Sequence, residues 1–160
     1  IAPGAMIGRN SATLTTIDLS FNRLSEIPYT DFSAENLPYL YGIDLSSNAF
    51  SAFPYAPLSI DRLTVMSIRQ QRDDEGNRTL REWPTGIGTC PRMAAFYIGS
   101  NDLRNIEDTI SPYILLFEIK DNPNISIDLS NVCPYIEMGY YELIYDSTQD
   151  IRGCDALNLD

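Results

Sequence analysis

The sequence contains no histidine among its 160 residues. Serine–histidine and cysteine–histidine nucleophile pairs therefore cannot be assembled from this chain, and neither can metal sites with imidazole ligands. No other nucleophile and base stand out from the solvated polar residues. The sequence accordingly predicts a protein that is not an enzyme and that carries no cofactor or catalytic metal.

Basic residues are scarce, with 11 lysines and arginines against 22 acidic residues and a formal net charge of −11. Only Arg152 follows Lys120 among the bases. Because binding to phosphate backbones needs a basic stripe, nucleic acid is a poor partner. The negative field favours cationic partners, although it can also serve solubility alone.

Long apolar runs are missing as well. No stretch approaches the ~20 residues of a membrane-spanning helix, and no basic segment precedes an apolar one at the N-terminus. We therefore expect neither a membrane span nor a signal peptide within these residues. The apolar content of 44% is nevertheless enough for the core of one ordinary domain.

One apolar pattern, L-x-x-L-x-L-x-x-N-x-L, recurs along the chain. Its copies begin at Leu14, Leu40, Leu63, Met93 and Ile114, so the spacings are 26, 23, 30 and 21 residues. The third copy has Gln71 in place of the asparagine, and the polar run 72–79 delays its closing residues, Leu80 and Trp83. This run has the acidic content of a calcium loop, but its glycine is at the wrong position, so we interpret it as a solvated hairpin-like insertion.

These residues resemble the leucine-rich repeat family, and the form DLSxNxLSxIP is similar to repeats of plant receptors and of bacterial cell-envelope proteins such as those of Bacteroidetes. The resemblance implies an α/β-type solenoid. Short parallel strands would form its concave face, irregular or 3₁₀ backbone its convex side, and a cap its C-terminal end, with little α-helix. It also implies an extracellular or cell-envelope location.

The resemblance divides the chain into three parts. Residues 1–13 are expected to be the second half of a preceding repeat or a truncated N-terminal end, 14–127 five repeats with the insertion, and 128–160 a last partial repeat and cap. In that last part we expect Ile136 to start a strand through Met138, Tyr140 and Tyr141, and a short helix to begin at Ser147.

Two sets of residues are expected to be structural. The asparagine column comprises Asn22, Asn48, Asn101 and Asn122, whose amides can satisfy backbone groups in the turns. Cys90 and Cys133 occupy positions suited to small buried residues. A Cys133–Cys154 disulfide is one possibility that sequence spacing alone leaves open.

The outward positions of the strands suggest a binding surface. The residues just before the strands should form a row of planar side chains along one rim of the sheet. This row comprises Tyr39, Arg62, Arg92, Tyr113 and Tyr135. Tyrosine and arginine are the types most often found at binding hot spots, although the row could equally stack only on itself. The candidate binding residues are Tyr39, Asp44, Arg62, Arg69, Arg92, Tyr97, Tyr113 and Glu118.

Two functions remain open at this stage. The first is a recognition module, expected to be a monomer, that binds a protein or glycan partner on its concave face. The second is a structural spacer within a larger envelope protein, with no ligand of its own. Large side chains facing water on the strands, such as Val65, Tyr97 and Leu116, favour the first.

Overall fold

The computed structural model describes residues 1–8, 11–87 and 92–157. Its strands are β1 (Thr16–Asp18), β2 (Gly42–Asp44), β3 (Val65–Ser67), β4 (Ala95–Tyr97), β5 (Asn105–Ile106), β6 (Leu116–Glu118), β7 (Ser126–Asp128), β8 (Glu142–Ile144) and β9 (Asp150–Arg152). The six strands β1-β2-β3-β4-β6-β8 lie side by side in one parallel sheet. Successive strands are one repeat apart, which confirms the predicted solenoid.

The middle residue of each concave strand enters the core. Ile43, Met66, Phe96 and Phe117 are buried at this position, whereas the residues on either side are mostly exposed or half-buried. This alternation is what a strand with one buried face requires. The rings of Phe96 and Phe117 are stacked with centroids 6.3 Å apart, so the core is continuous from repeat to repeat.

A second, three-stranded parallel sheet of β5, β7 and β9 was not predicted. It lies where the expectation was irregular or 3₁₀ backbone, and its strands are only two or three residues long. Such short extended segments carry too little alternation to be recognised in a sequence. The 3₁₀ expectation is correct at Ser11–Thr13 and Ala56–Ser59, and another 3₁₀ turn lies in the C-terminal part at Asp155–Leu157.

The C-terminal part differs from the prediction. Tyr135 and Ile136 do not lead into a strand, because they lie in the α-helix α1 (Cys133–Glu137), and the last concave strand is β8 instead. Pro134 suits the first turn of a helix, and Gly139, at φ 74°, lets the chain leave it. The predicted helix start at Ser147 is also wrong, since the chain there enters β9.

A disulfide joins Cys133 and Cys154, whose Cα atoms are 5.2 Å apart. It links α1 to the segment that follows β9 and closes a loop of 21 residues. By the loop-entropy model such a bridge contributes about 3 kcal/mol. Cys90, which we expected to be buried, lies outside the described residues.

Side-chain amides connect the repeats. Asn101 donates to the carbonyls of Ile68 and Ile98 at 3.0 and 2.9 Å and accepts the Gln71 N–H at 2.9 Å. The amides of Asn48, Gln71, Asn122 and Gln149 bridge neighbouring repeats in the same way. We call this set, together with Asn22 and Asn101, the amide ladder.

The residue before each of the first five rungs of the amide ladder has a left-handed backbone. The φ values of Phe21, Ser47, Gln70, Ser100 and Asp121 lie between 54° and 57°. None of these residues is glycine, so each turn carries local strain of about 1 kcal/mol or more. The turn is thus held in place by the amide that follows it.

The insertion 72–79 is a hairpin, with Arg72 and Arg78 paired antiparallel and Gly76 at φ 85° in its turn. Its tip is exposed, as predicted, but its base is bonded to the neighbouring repeats. The Arg78 guanidinium donates to the carbonyls of Asn101 and Asp121 at 2.6 and 2.5 Å and pairs with the Asp121 carboxylate at 2.6 Å. The hairpin is therefore fastened across the turns of the next two repeats.

Removing a buried rung of the amide ladder should be costly. Asn101→Ala leaves the carbonyls of Ile68 and Ile98 and the Gln71 N–H without their partner in the core, so we expect the free energy of unfolding to fall by about 3 kcal/mol. Asn22→Ala is the matched control. Because the Asn22 amide is exposed and water can replace it, its loss should cost less than about 1 kcal/mol. Urea unfolding followed by circular dichroism measures both, and equal losses would contradict this role of the ladder.

Candidate functional site

The concave sheet carries an open cleft of about 340 Å³ across its first four strands. Its lining residues are Thr16, Ile17, Asp18, Tyr41, Gly42, Ile43, Asp44, Val65, Ser67, Arg69 and Tyr97. Gly42 lies near the middle, between Thr16 on β1 and Val65 on β3 in the strand register. Because Gly42 has no side chain, the neighbouring side chains become the walls of the cleft.

Two carboxylates lie side by side at the carboxyl ends of β1 and β2. Asp18 and Asp44 are paired in register on these strands. Asp18 accepts the N–H and hydroxyl of Ser20 at 2.9 and 2.6 Å, and Asp44 accepts the N–H of Ser46 at 2.8 Å. The hydrogen bonds from the Ser20 hydroxyl and N–H lower the pKa of Asp18, so this group is ionised at neutral pH.

Arg69, which lines the cleft, belongs to a three-residue cluster with Tyr97 and Glu118. The Arg69 guanidinium carbon lies 4.3 Å from the centre of the Tyr97 ring, and its Nε is 2.5 Å from Glu118. Both interactions restrict the Arg69 side chain before any partner arrives. The cluster thus brings together three of the predicted binding residues, with Asp44 in the same cleft as two of them.

The other predicted binding residues do not line the cleft. Arg62 lies over the ring of Tyr39, with its guanidinium carbon 5.2 Å from the centroid, and Arg92 donates to the carbonyl of Asp61. Tyr113 is 62% exposed. The predicted rim therefore stacks on itself at Tyr39 and Arg62, and its role in binding stays a prediction.

The sequence interpretation missed three residues that shape the cleft. Asp18, Gly42 and Tyr41 were not among the candidate binding residues. Tyr41 precedes β2 and is 49% exposed. A signal was present, because a glycine among larger outward residues marks a gap and a neighbouring aromatic marks its wall.

The cleft is lined by a mixture of charged, aromatic and small polar side chains. Its polar side chains are carboxylates, one arginine, tyrosines and small hydroxyls, with no paired nucleophile and base. Within the described part of the chain, a metal-type cluster of three groups occurs only at Cys133, Glu137 and Cys154. Both sulfur atoms there belong to the disulfide, so they are not thiolate ligands.

The parallel strands, the repeat spacing and the amide ladder define the class: the chain is a leucine-rich repeat solenoid. Two solved structures confirm the resemblance. A leucine-rich repeat protein of Bacteroides thetaiotaomicron VPI-5482 is 55% identical over 95% of this chain, with a TM-score of 0.91. One of Bacteroides eggerthii DSM 20697 is 59% identical over 93% of this chain, with a TM-score of 0.88.

This chain spans 18% and 24% of the lengths of those two chains. Neither a protein-family model nor a curated protein matches it. No helix in the described ranges has the length and apolar character needed to cross a lipid bilayer.

The stacking of Arg69 on Tyr97 should be measurable as a coupling energy. A double-mutant cycle of Arg69→Ala and Tyr97→Ala, followed by urea unfolding, should give a coupling of about 0.5–1 kcal/mol, because the contact is partly shielded from water. The exposed pair Arg62 and Tyr39 is the control and should give less. A coupling indistinguishable from zero at Arg69 and Tyr97 would show that the arginine is mobile rather than fixed.

Proposed function

We propose that this solenoid is a recognition module that binds a protein partner on its concave sheet. The observation that carries the proposal is the fixed cluster of Arg69, Tyr97 and Glu118 beside an open cleft. Ordering a long side chain in advance lowers the entropy cost of binding. Arginine and tyrosine are also the types that most often dominate binding energy.

The charge and shape of the cleft support the binding of a protein partner over a role as a spacer alone. Asp18 and Asp44 leave negative charge on the sheet, while Tyr41 and Val65 offer apolar contact area. A surface needed only for spacing has no requirement for this mixture. Aromatic residues and arginine are enriched at protein interfaces, and Tyr41, Tyr97 and Arg69 supply both types here.

We further propose that the domain works outside the cytoplasm, in a cell envelope or an extracellular space. The Cys133–Cys154 disulfide supports this, because such bonds persist in oxidising compartments. The likeness to Bacteroides leucine-rich repeat proteins is compatible with it. In this proposal the chain works as one part of a longer protein.

Site-specific photocrosslinking tests the concave location. A benzophenone amino acid would replace Val65 in the cleft or, as the matched control, Glu107, which is exposed beside β5 on the convex side. After irradiation in a Bacteroides envelope extract, we expect one protein to be crosslinked at Val65 and not at Glu107. An excess of unlabelled protein should remove this adduct, whereas an excess of the Arg69→Ala, Tyr97→Ala variant should not.

Equal adducts at both positions, or none at Val65, would contradict the proposal. The second result would favour the spacer function. Thermal unfolding of each labelled protein checks that the substitutions leave the solenoid folded.

A further inference from the structure

Neither the backbone conformation nor close packing requires glycine at position 42. Its φ is outside the left-handed region, and a Cβ built there would meet only the Thr16 side chain, at 3.4 Å. That distance is at the lower limit of ordinary van der Waals contact, so the backbone here accepts a Cβ atom. By contrast, a Cβ at Gly99 would lie 2.8 Å from the Lys120 carbonyl, which shows a glycine required by packing. The space over Gly42 is therefore available to a ligand.

The charge around this space is unbalanced. Asp18 and Asp44 are on neighbouring strands, so their Cα atoms are about 4.8 Å apart and the two carboxylates repel each other. Among the described residues, neither forms an ion pair. Arg69 lines the same cleft, but its charge is paired with Glu118. A single cation placed between Asp18 and Asp44 would remove the repulsion.

The walls indicate what kind of cation fits. Tyr41 and Tyr97 present aromatic rings to the cleft, and Val65 adds an apolar side. An aliphatic stem can pack on such walls while its charged end reaches the carboxylates. A calcium ion fits less well, since it needs about six to eight oxygen ligands. The described residues provide no third acidic group close enough to these two to make a metal cluster.

We propose that the cleft over Gly42 holds an arginine or lysine side chain from an extended segment of the partner protein. The stem of that side chain lies over Gly42 between Tyr41 and Val65, and its cationic end pairs with Asp18 and Asp44. The same combination of cation, ring and carboxylate is already present in Arg69, Tyr97 and Glu118. This inference rests on the proposed function, because it names the partner chemistry of the same concave site.

Peptide titration followed by amide NMR tests the pocket directly. The probes are Gly-Ser-Gly-Xaa-Gly-Ser-Gly peptides in which Xaa is arginine, lysine or glutamate. Arginine and lysine peptides should shift the amide signals of Asp18, Gly42 and Asp44, and added salt should weaken the effect. The glutamate peptide should not. Shifts of equal size with the glutamate peptide would overturn the inference.

Substitutions distinguish a defined pocket from a general attraction between a cationic peptide and an acidic protein. We expect the Asp18→Asn, Asp44→Asn protein and the Gly42→Val protein each to bind the arginine peptide about tenfold or more weakly, since one loses the charges and the other fills the space. Two control proteins should change binding less than about twofold. One carries Asp74→Asn and Glu75→Gln on the exposed hairpin, and the other carries Ala95→Val on β4, two strands away from Gly42. Equal weakening in the controls would contradict a defined pocket.

Failure of this inference can be told apart from failure of the proposed function. If the partner still crosslinks at Val65 when Asp18 and Asp44 are asparagine, the cation pocket is wrong and concave binding stands. If the unmodified cleft crosslinks no partner, the proposed function is wrong.

Discussion

The structure depends on one recurring interaction, the hydrogen bonding of a buried amide side chain to the backbone of two repeats. Each concave strand is only three residues long, and in the turn that follows it one backbone carbonyl, such as that of Leu45 or Ile68, is hydrogen-bonded by side-chain amides instead of by a neighbouring backbone N–H. Asn48, Gln71, Asn101 and Asn122 supply the missing partners from inside the core, where no water competes. The left-handed residue before each rung can then tolerate its strain, because the following amide fixes the turn.

This constraint also explains where the solenoid is free to vary. The ladder and the apolar residues engage the core side of the sheet and its turns, whereas the first, outward residue of each concave strand takes no part in either. Gly42, Val65, Ala95 and Leu116 therefore differ in size without changing the register. The cleft over Gly42 and the Arg69 cluster both arise from outward residues that vary from repeat to repeat, so the binding proposed for this face depends on side chains rather than on the fold.

The solenoid could be predicted because its apolar and asparagine pattern repeats along the chain. The features that depart from the regular repeat could not be predicted, because each occurs only once. The asparagines and the five apolar cores were visible in the sequence, and Gln71 was seen in an asparagine position but was not assigned a structural role. Gln149 was missed, since it lies one position beyond the expected register in a repeat that α1 and the disulfide reshape. Of the predicted binding residues, Asp44, Arg69 and Tyr97 line one cleft and Glu118 pairs with Arg69, while their role in binding stays a prediction. For Tyr39 and Arg62 the sequence left binding and mutual stacking open, and the structure shows that they stack, with the guanidinium carbon 5.2 Å from the ring centroid.

Native-state hydrogen exchange is the most direct test of the central claim that the amide ladder unites the repeats. The N–H groups of Phe50, Gln71 and Leu103 donate to ladder oxygens at 3.1, 2.9 and 3.0 Å. If the ladder binds the repeats into one cooperative unit, these amides exchange only through global unfolding, and their exchange free energies equal the one obtained from urea unfolding. Exchange free energies well below that value, and different from one repeat to the next, would show that the turns open independently and would contradict the account.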